Sequence, residues 1–176
     1  MIGRVVALGA VSLMGLLTVM ATGGGLLLYA AGAASGDVAG SGLVRPVDGA
    51  VISQGFGCTT FAAEPVDPGC PSGHFHSGVD LAAPLGTPVR ATLAGVAHVE
   101  ISAGGFGLHI VIDHGDGFSS LYGHLSAVDV IDGEPVAQGE VIGAVGSTGN
   151  STGPHLHFEL DRDGVPEDPL QELALP

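Results

Sequence analysis

The stretch GNSTGPHLHFEL, residues 149–160, offers two chemistries that exclude one another. Gly149-Asn150-Ser151-Thr152-Gly153 fits the G-x-S-x-G pattern of a serine nucleophile elbow, whereas His155 and His157 are paired imidazoles suited to a metal. An elbow needs a strand, a sharp turn and then a helix. Here Gly153-Pro154 and a strand-like alternation follow, so Ser151 reads as a turn residue. In a strand, side chains at i and i+2 share a face. His155 and His157 therefore project together, with Leu156 turned to the core side, which suits one metal ligand beside one acid/base. Upstream, HFHSGVD (74–80) adds His76 and Asp80 with Gly78 between them, a loop entering a strand rather than a helical pair. His76, Asp80 and His157 would supply three zinc ligands and leave the fourth position to a water, the open site a hydrolase needs. His124, in SLYGHLS, ends an aromatic-bearing strand. No H-E-x-x-H occurs, which excludes a helix-borne metalloprotease site.

The elements that must position these groups are strands. PVRATLAGVAHVEI (88–101) alternates around Ala94-Gly95, and GLHIVIDHGDGFSSLYGHL (107–125) predicts a hairpin turning at Asp113–Gly117. EVIGAVGS and HLHFELDRDG predict further strands, the last closing on Asp163-Gly164. No helical window of about ten residues follows position 42. The expected fold is all-β, an antiparallel sandwich or partly open barrel over residues 43–176.

Taken together and in order, HFHSGVDLAAPLGTPVRATLAGVA, YGHLS and GSTGNSTGPHLHFEL closely resemble the lysostaphin/LytM-type zinc metallopeptidases. The similarity runs from about Val44 to Pro169. By that resemblance His76 and Asp80 match the first two zinc ligands, His157 the third, and His124 and His155 the two non-ligand histidines of the active site. It implies one zinc ion per chain and cleavage of peptide bonds in the cross-links or stem peptides of bacterial peptidoglycan. It also admits a rival, a non-catalytic domain of the same fold that binds and activates another wall hydrolase. Both accessory histidines and all three ligand positions are present, which favours catalysis.

The remaining histidines get plainer roles. His74 lies beside the site without the Asp80 spacing. His98 and His109 are expected at strand surfaces or in cross-strand pairs, and His114 in the turn, with a place behind the site as its alternative role. Asp113 and Asp116 are expected as turn formers and Tyr122 as a packed strand aromatic.

Composition sets the compartment. Val5–Gly36 carries no charge, longer than the ~20 apolar residues that span a bilayer. Arg4 precedes it and Asp37 follows, which places the N-terminus in the cytoplasm and the remainder outside. Residues 1–36 are expected to be a signal anchor tethering the chain to the membrane, with a cleaved signal peptide ending near Ala31-Gly32-Ala33 as the alternative. Residues 37–42 form a short spacer. The two cysteines, Cys58 and Cys70, predict a disulfide worth roughly 2–3 kcal/mol in an exported domain. A net charge of −14 with four Arg and no Lys excludes a nucleic-acid partner. It also disfavours adhesion to anionic wall polymers, a difficulty that tethering removes. Peptidoglycan peptides, the membrane and a regulatory envelope protein are the expected partners.

Overall fold

The computed structural model describes residues 42–173. The expected N-terminal anchor (1–36) and the spacer up to residue 41 lie outside the described residues. Within them the elements run β1 (Val51–Gln54), β2 (Gly57–Thr59), β3 (His74–His76), β4 (Val79–Ala82), β5 (Pro88–Arg90), β6 (Gly95–Ile101), β7 (Leu108–Gly115), β8 (Phe118–Gly123), β9 (Ala127–Val128), β10 (Glu134–Val136), β11 (Val141–Ala144), β12 (His155–Arg162), β13 (Val165–Glu167) and a single turn of helix, α1 (Pro169–Glu172). No described helix is long and apolar enough to cross a membrane.

The large sheet is ordered β1-β4-β12-β8-β7-β6-β10, with β13 beside β12. Neighbours pair antiparallel throughout, and the order ends at β1 and β10 without closing into a barrel. A smaller sheet, β5-β11-β9, supplies the second layer, and β2-β3 form a separate hairpin. The expected all-β, antiparallel class is the one adopted, with no closed barrel.

Alternation sorts the strands into two faces. Val79 and Leu81 of β4, Ile110 and Ile112 of β7, and Leu156, Phe158 and Leu160 of β12 enter one core with Val89, Ile142 and Val145 from the smaller sheet. Each such side chain contributes about 1.5–3 kcal/mol by leaving water. The intervening residues, Asp80 on β4, His109 on β7, and His155, His157 and Glu159 on β12, are thereby turned to the opposite face. Register then sets neighbours: His157 lies across from Asp80 on one side and from Gly123 on the other. The close approach of β4 to β12 depends on Gly78, where a Cβ would fall 2.3 Å from the Phe158 carbonyl oxygen.

The expected turn at 113–117 is tighter than its sequence suggested. β7 continues through Gly115, and the hairpin reverses over Asp116-Gly117 (φ 52° and 74°), with a bulge between Asp113 and Gly115. Local propensity in DHGDG marked the turn, but the bulge absorbed the extra residue and kept His114 in the strand. His114 consequently does not back His76, Asp80 and His157. Its Nδ1–H donates to the Ala94 carbonyl (2.9 Å) and its Nε2 meets Ser120 Oγ (2.8 Å). Ser120 Oγ in turn lies 2.9 Å from Tyr122 Oη, which accepts the Thr92 N–H at 2.8 Å. Tyr122 is thus packed as expected, in the core against Phe158.

Cys58 and Cys70 form the disulfide. It closes the excursion between β2 and β3, whose intervening residues stand over one edge of the large sheet's open face.

Candidate metal centre

Each candidate ligand arrives on a different strand with its ring or carboxylate held from behind. His76 ends β3 and is fully buried. Its Nδ1–H donates to the Gly55 carbonyl at 2.9 Å; a carbonyl can only accept, so the other nitrogen, Nε2, is left bare. His157, on β12, donates Nε2–H to Glu159 Oε1 at 2.9 Å, which leaves its Nδ1 bare. Those two bare nitrogens are 3.0 Å apart. Asp80 Oδ1, from β4, lies 3.2 Å from His76 Nε2 and 2.9 Å from His157 Nδ1. With both rings neutral, three lone pairs would converge here, an arrangement that repels itself until a cation or an added proton enters.

The electrostatics record the same demand. Burial disfavours charge on His157, but the Asp80 and Glu159 carboxylates bonded to it outweigh burial and raise its pKa to about 9. Burial likewise works against a charged Asp80. The hydrogen bonds and charge of His157 and His76 overcome it and hold the carboxyl well below its ordinary range. Glu159, buried but bonded to His157 and Ser77, is also lowered. The donor set, two imidazoles and a carboxylate with all donor atoms within 4.8 Å of one another, fits zinc. The carboxylate behind His157 is the usual device for orienting a ligating imidazole.

The two remaining candidate histidines flank this cluster without joining it. His124 follows β8 in a left-handed backbone conformation, φ 65°. Its Nδ1–H donates to the Thr148 carbonyl at 2.8 Å, and its ring centroid is 4.7 Å from that of His155 and 5.8 Å from that of His157. His155 donates Nδ1–H to the Gly153 carbonyl at 2.8 Å, and its Nε2 lies 3.7 Å from Asp80 Oδ1. Both rings are therefore anchored through Nδ1 and turn Nε2 away from those carbonyls. Burial first, and then the nearby His155 and His157, lower the His124 pKa to about 4, so it is neutral at physiological pH.

Ser151 is now accounted for. Its Oγ lies 3.3 Å from His155 Nδ1, but that nitrogen already carries the proton given to Gly153. It cannot act as the base for a serine nucleophile, and the element that follows Ser151 is the strand β12, not a helix.

These groups line a cleft of about 450 Å³. Phe61, Ala63, Glu64 and Pro65, from within the disulfide-closed loop, form one wall; Phe106 and Asn150 belong to loops across from it. Phe106 stacks on the His157 ring at 5.2 Å and an interplanar angle of 27°. His74 points into the wall instead of the cluster, with its Nδ1–H on the Glu64 carbonyl at 2.8 Å. His98 is half-exposed and pairs with Asp132 at 3.5 Å. His109 makes the expected cross-strand pair, 3.4 Å from Glu100, but its ring is buried under Phe106.

Sequence reasoning passed over Glu159 and Phe106. Glu159 carried a usable signal, since H-x-H-x-E extends the same-face period by one step. Phe106 and the Gly55 carbonyl carried none, because loops bring them to the site from about 50 and 100 residues away along the chain, respectively, relative to His157.

Comparison with known proteins agrees with this geometry. The DD-carboxypeptidase/endopeptidase Mpg of Neisseria meningitidis is 52% identical over 101 residues, 57% of this chain and 23% of that protein. The chain thus spans about a quarter of the length of that relative. A zinc-containing peptidase from Vibrio cholerae superimposes with a TM-score of 0.61 at 34% identity, over 75% of this chain and 40% of that one. The catalytic domain of the antimicrobial peptidase lysostaphin from Staphylococcus simulans does so at 0.53 and 34%, over 69% and 90%. The sequence profile of Peptidase family M23 matches residues 74–169, from the first histidine of HFHSGVD to the start of α1, and the chain therefore belongs to peptidase family M23.

Proposed function

We propose that this chain is a zinc-dependent endopeptidase that hydrolyses peptide bonds in the cross-links or stem peptides of bacterial peptidoglycan. The observation that carries the proposal is the convergence of His76 Nε2, His157 Nδ1 and Asp80 Oδ1 beside a cleft, with the His124 and His155 rings next to them. Similarity to Mpg, whose name records a DD-carboxypeptidase and endopeptidase, supports peptidoglycan as the substrate.

Zinc held by His76, Asp80 and His157 would supply an acidified water and an electrophile for the scissile carbonyl. The chain's own residues do the rest. Gly55 and Glu159 hold the two ligating rings in the tautomers that leave the right nitrogen bare. His155 and His124, pinned through Nδ1 to the Gly153 and Thr148 carbonyls, aim Nε2 at the site. One can take a proton from the attacking water, and the resulting imidazolium can stabilise the oxyanion or return the proton to the leaving amine. Phe106 covers the His157 ring and limits water on that side. Residues 1–36 are proposed to keep the domain at the outer face of the membrane, where tethering offsets repulsion between a chain of net charge −14 and an anionic wall.

The test is metal content and muropeptide release from the purified chain, with His76→Ala alongside. About one zinc per chain, and new peptide fragments that vanish in the variant, are expected. Zinc without cleavage would transfer the domain to the regulator class. Neither zinc nor cleavage would end the metallopeptidase reading.

A further inference from the structure

The cleft contains one carboxylate that the metal chemistry leaves unused. Of the acidic residues lining it, Asp80 belongs to the donor set, and the other is Glu64. Glu64 sits on the loop wall and is held from several directions. Its carbonyl takes the His74 Nδ1–H at 2.8 Å, its N–H donates to the Phe61 carbonyl at 3.1 Å, and its Oε1 accepts from Gln54 Nε2 at 2.9 Å. The Cys58–Cys70 bond closes the loop around it. Among the described residues, the side chain bonded to its carboxylate is thus a neutral amide. No Lys or Arg lines the cleft, and two of the chain's four arginines are engaged elsewhere, Arg90 with Asp48 and Arg162 with Glu167.

A half-buried carboxylate, fixed in a substrate cleft and facing no cation of its own, is completed by a cation on the substrate. Because the loop is cross-linked and hydrogen-bonded beforehand, little ordering is needed to use it. We propose that Glu64 is a specificity residue that recognises a primary ammonium group, so that the preferred substrates are peptides carrying a free amine beside the scissile bond. The inference rests on the peptidase reading above and narrows it. A peptide with a neutral or acidic group at that place lacks the pairing, and an acidic one is repelled.

The test uses the zinc-loaded full chain and two peptidoglycan peptides identical except that the primary amine is free or acetylated. The wild type should favour the free amine by roughly fivefold in kcat/KM at low salt, mostly through KM, with the preference shrinking as salt rises. In Glu64→Gln, which keeps the amide contact to Gln54, the ratio should fall to about one. Because the ratio is taken within one preparation, it does not depend on how much of the variant folds. An unchanged ratio in Glu64→Gln, or no preference in the wild type, overturns the proposal. If neither peptide is cut, the peptidase reading fails separately, and dissociation constants for the same pair decide. Tighter binding of the free amine that Glu64→Gln abolishes sustains the ammonium site; equal binding, or none, removes it.

Discussion

Two polar clusters sit on opposite faces of the large sheet, and they solve the hydrogen-bond problem in opposite ways. On the core side, Thr92, Tyr122, Ser120, His114 and Ala94 form a chain in which every proton finds an acceptor. Since His114 Nδ1–H must serve the Ala94 carbonyl, Nε2 takes the Ser120 hydroxyl proton, and the Tyr122 hydroxyl is free to donate to Ser120. Burial lowers the His114 pKa and keeps that chain neutral. On the cleft side, two histidines are oriented by outer partners so that their other ring nitrogens and the Asp80 carboxylate face each other. The first arrangement is complete and therefore structural. The second is incomplete by one cation, and incompleteness is what makes it a candidate for chemistry.

The widest separation between the clusters should come from Asp80→Ala. Removing one of three donors should take bound zinc from about one per chain to near zero and activity to background, read by metal analysis and peptide release. Retained stoichiometric zinc would dissolve the contrast. Next, His124→Gln should keep the zinc but lower kcat by about 10²–10⁴, the range of a lost acid/base; an unaltered kcat would remove His124 from the proton pathway. Glu159→Gln should weaken zinc binding by about 10- to 100-fold, because the ring it orients loses its charged partner. Competition with a chelator measures it.

pH should tune the same site. In the metal-free protein the cluster keeps a proton up to the His157 value of about 9, and an incoming cation must displace it. Apparent zinc affinity should therefore fall roughly tenfold per unit as pH drops below that value. Calorimetry in buffers of different ionisation heat would show proton release, and a pH-independent constant would contradict the raised value. The smallest effect belongs to the core side. Tyr122→Phe strands the buried Thr92 N–H and should cost about 1–3 kcal/mol in denaturant unfolding, with zinc content unchanged. A loss of zinc there would mean that the two clusters are not separate.

What could be read ahead of the structure followed from period and turn chemistry. The two-residue spacing of His155 and His157 placed them on one face, and Asp163-Gly164 closed the β12–β13 hairpin with φ 54° and 82°. Linking His76 and Asp80 to His157 drew on a resemblance rather than on periodicity, since nothing local in HFHSGVD states that β4 pairs with β12. The bulge that kept His114 in β7 was hidden by a strong turn signal, and the burial of His109 by a loop, Phe106, folding over it. Side chains that touch through loops are where local pattern has least to say.

His124 holds its ring in place from a backbone conformation that costs a non-glycine residue roughly 1 kcal/mol or more. Under the proposed role of His124, stability and activity therefore select different residues at this position. A copy of the domain released from the proposed reaction would shed that backbone cost by exchanging His124 for glycine, wherever the cost exceeds the lost Thr148 hydrogen bond and ring packing, and that exchange could not be reversed without taking the cost back. Among diverging copies, position 124 would act as a ratchet: once the strain is relieved, the lineage keeps the fold and drifts away from the reaction.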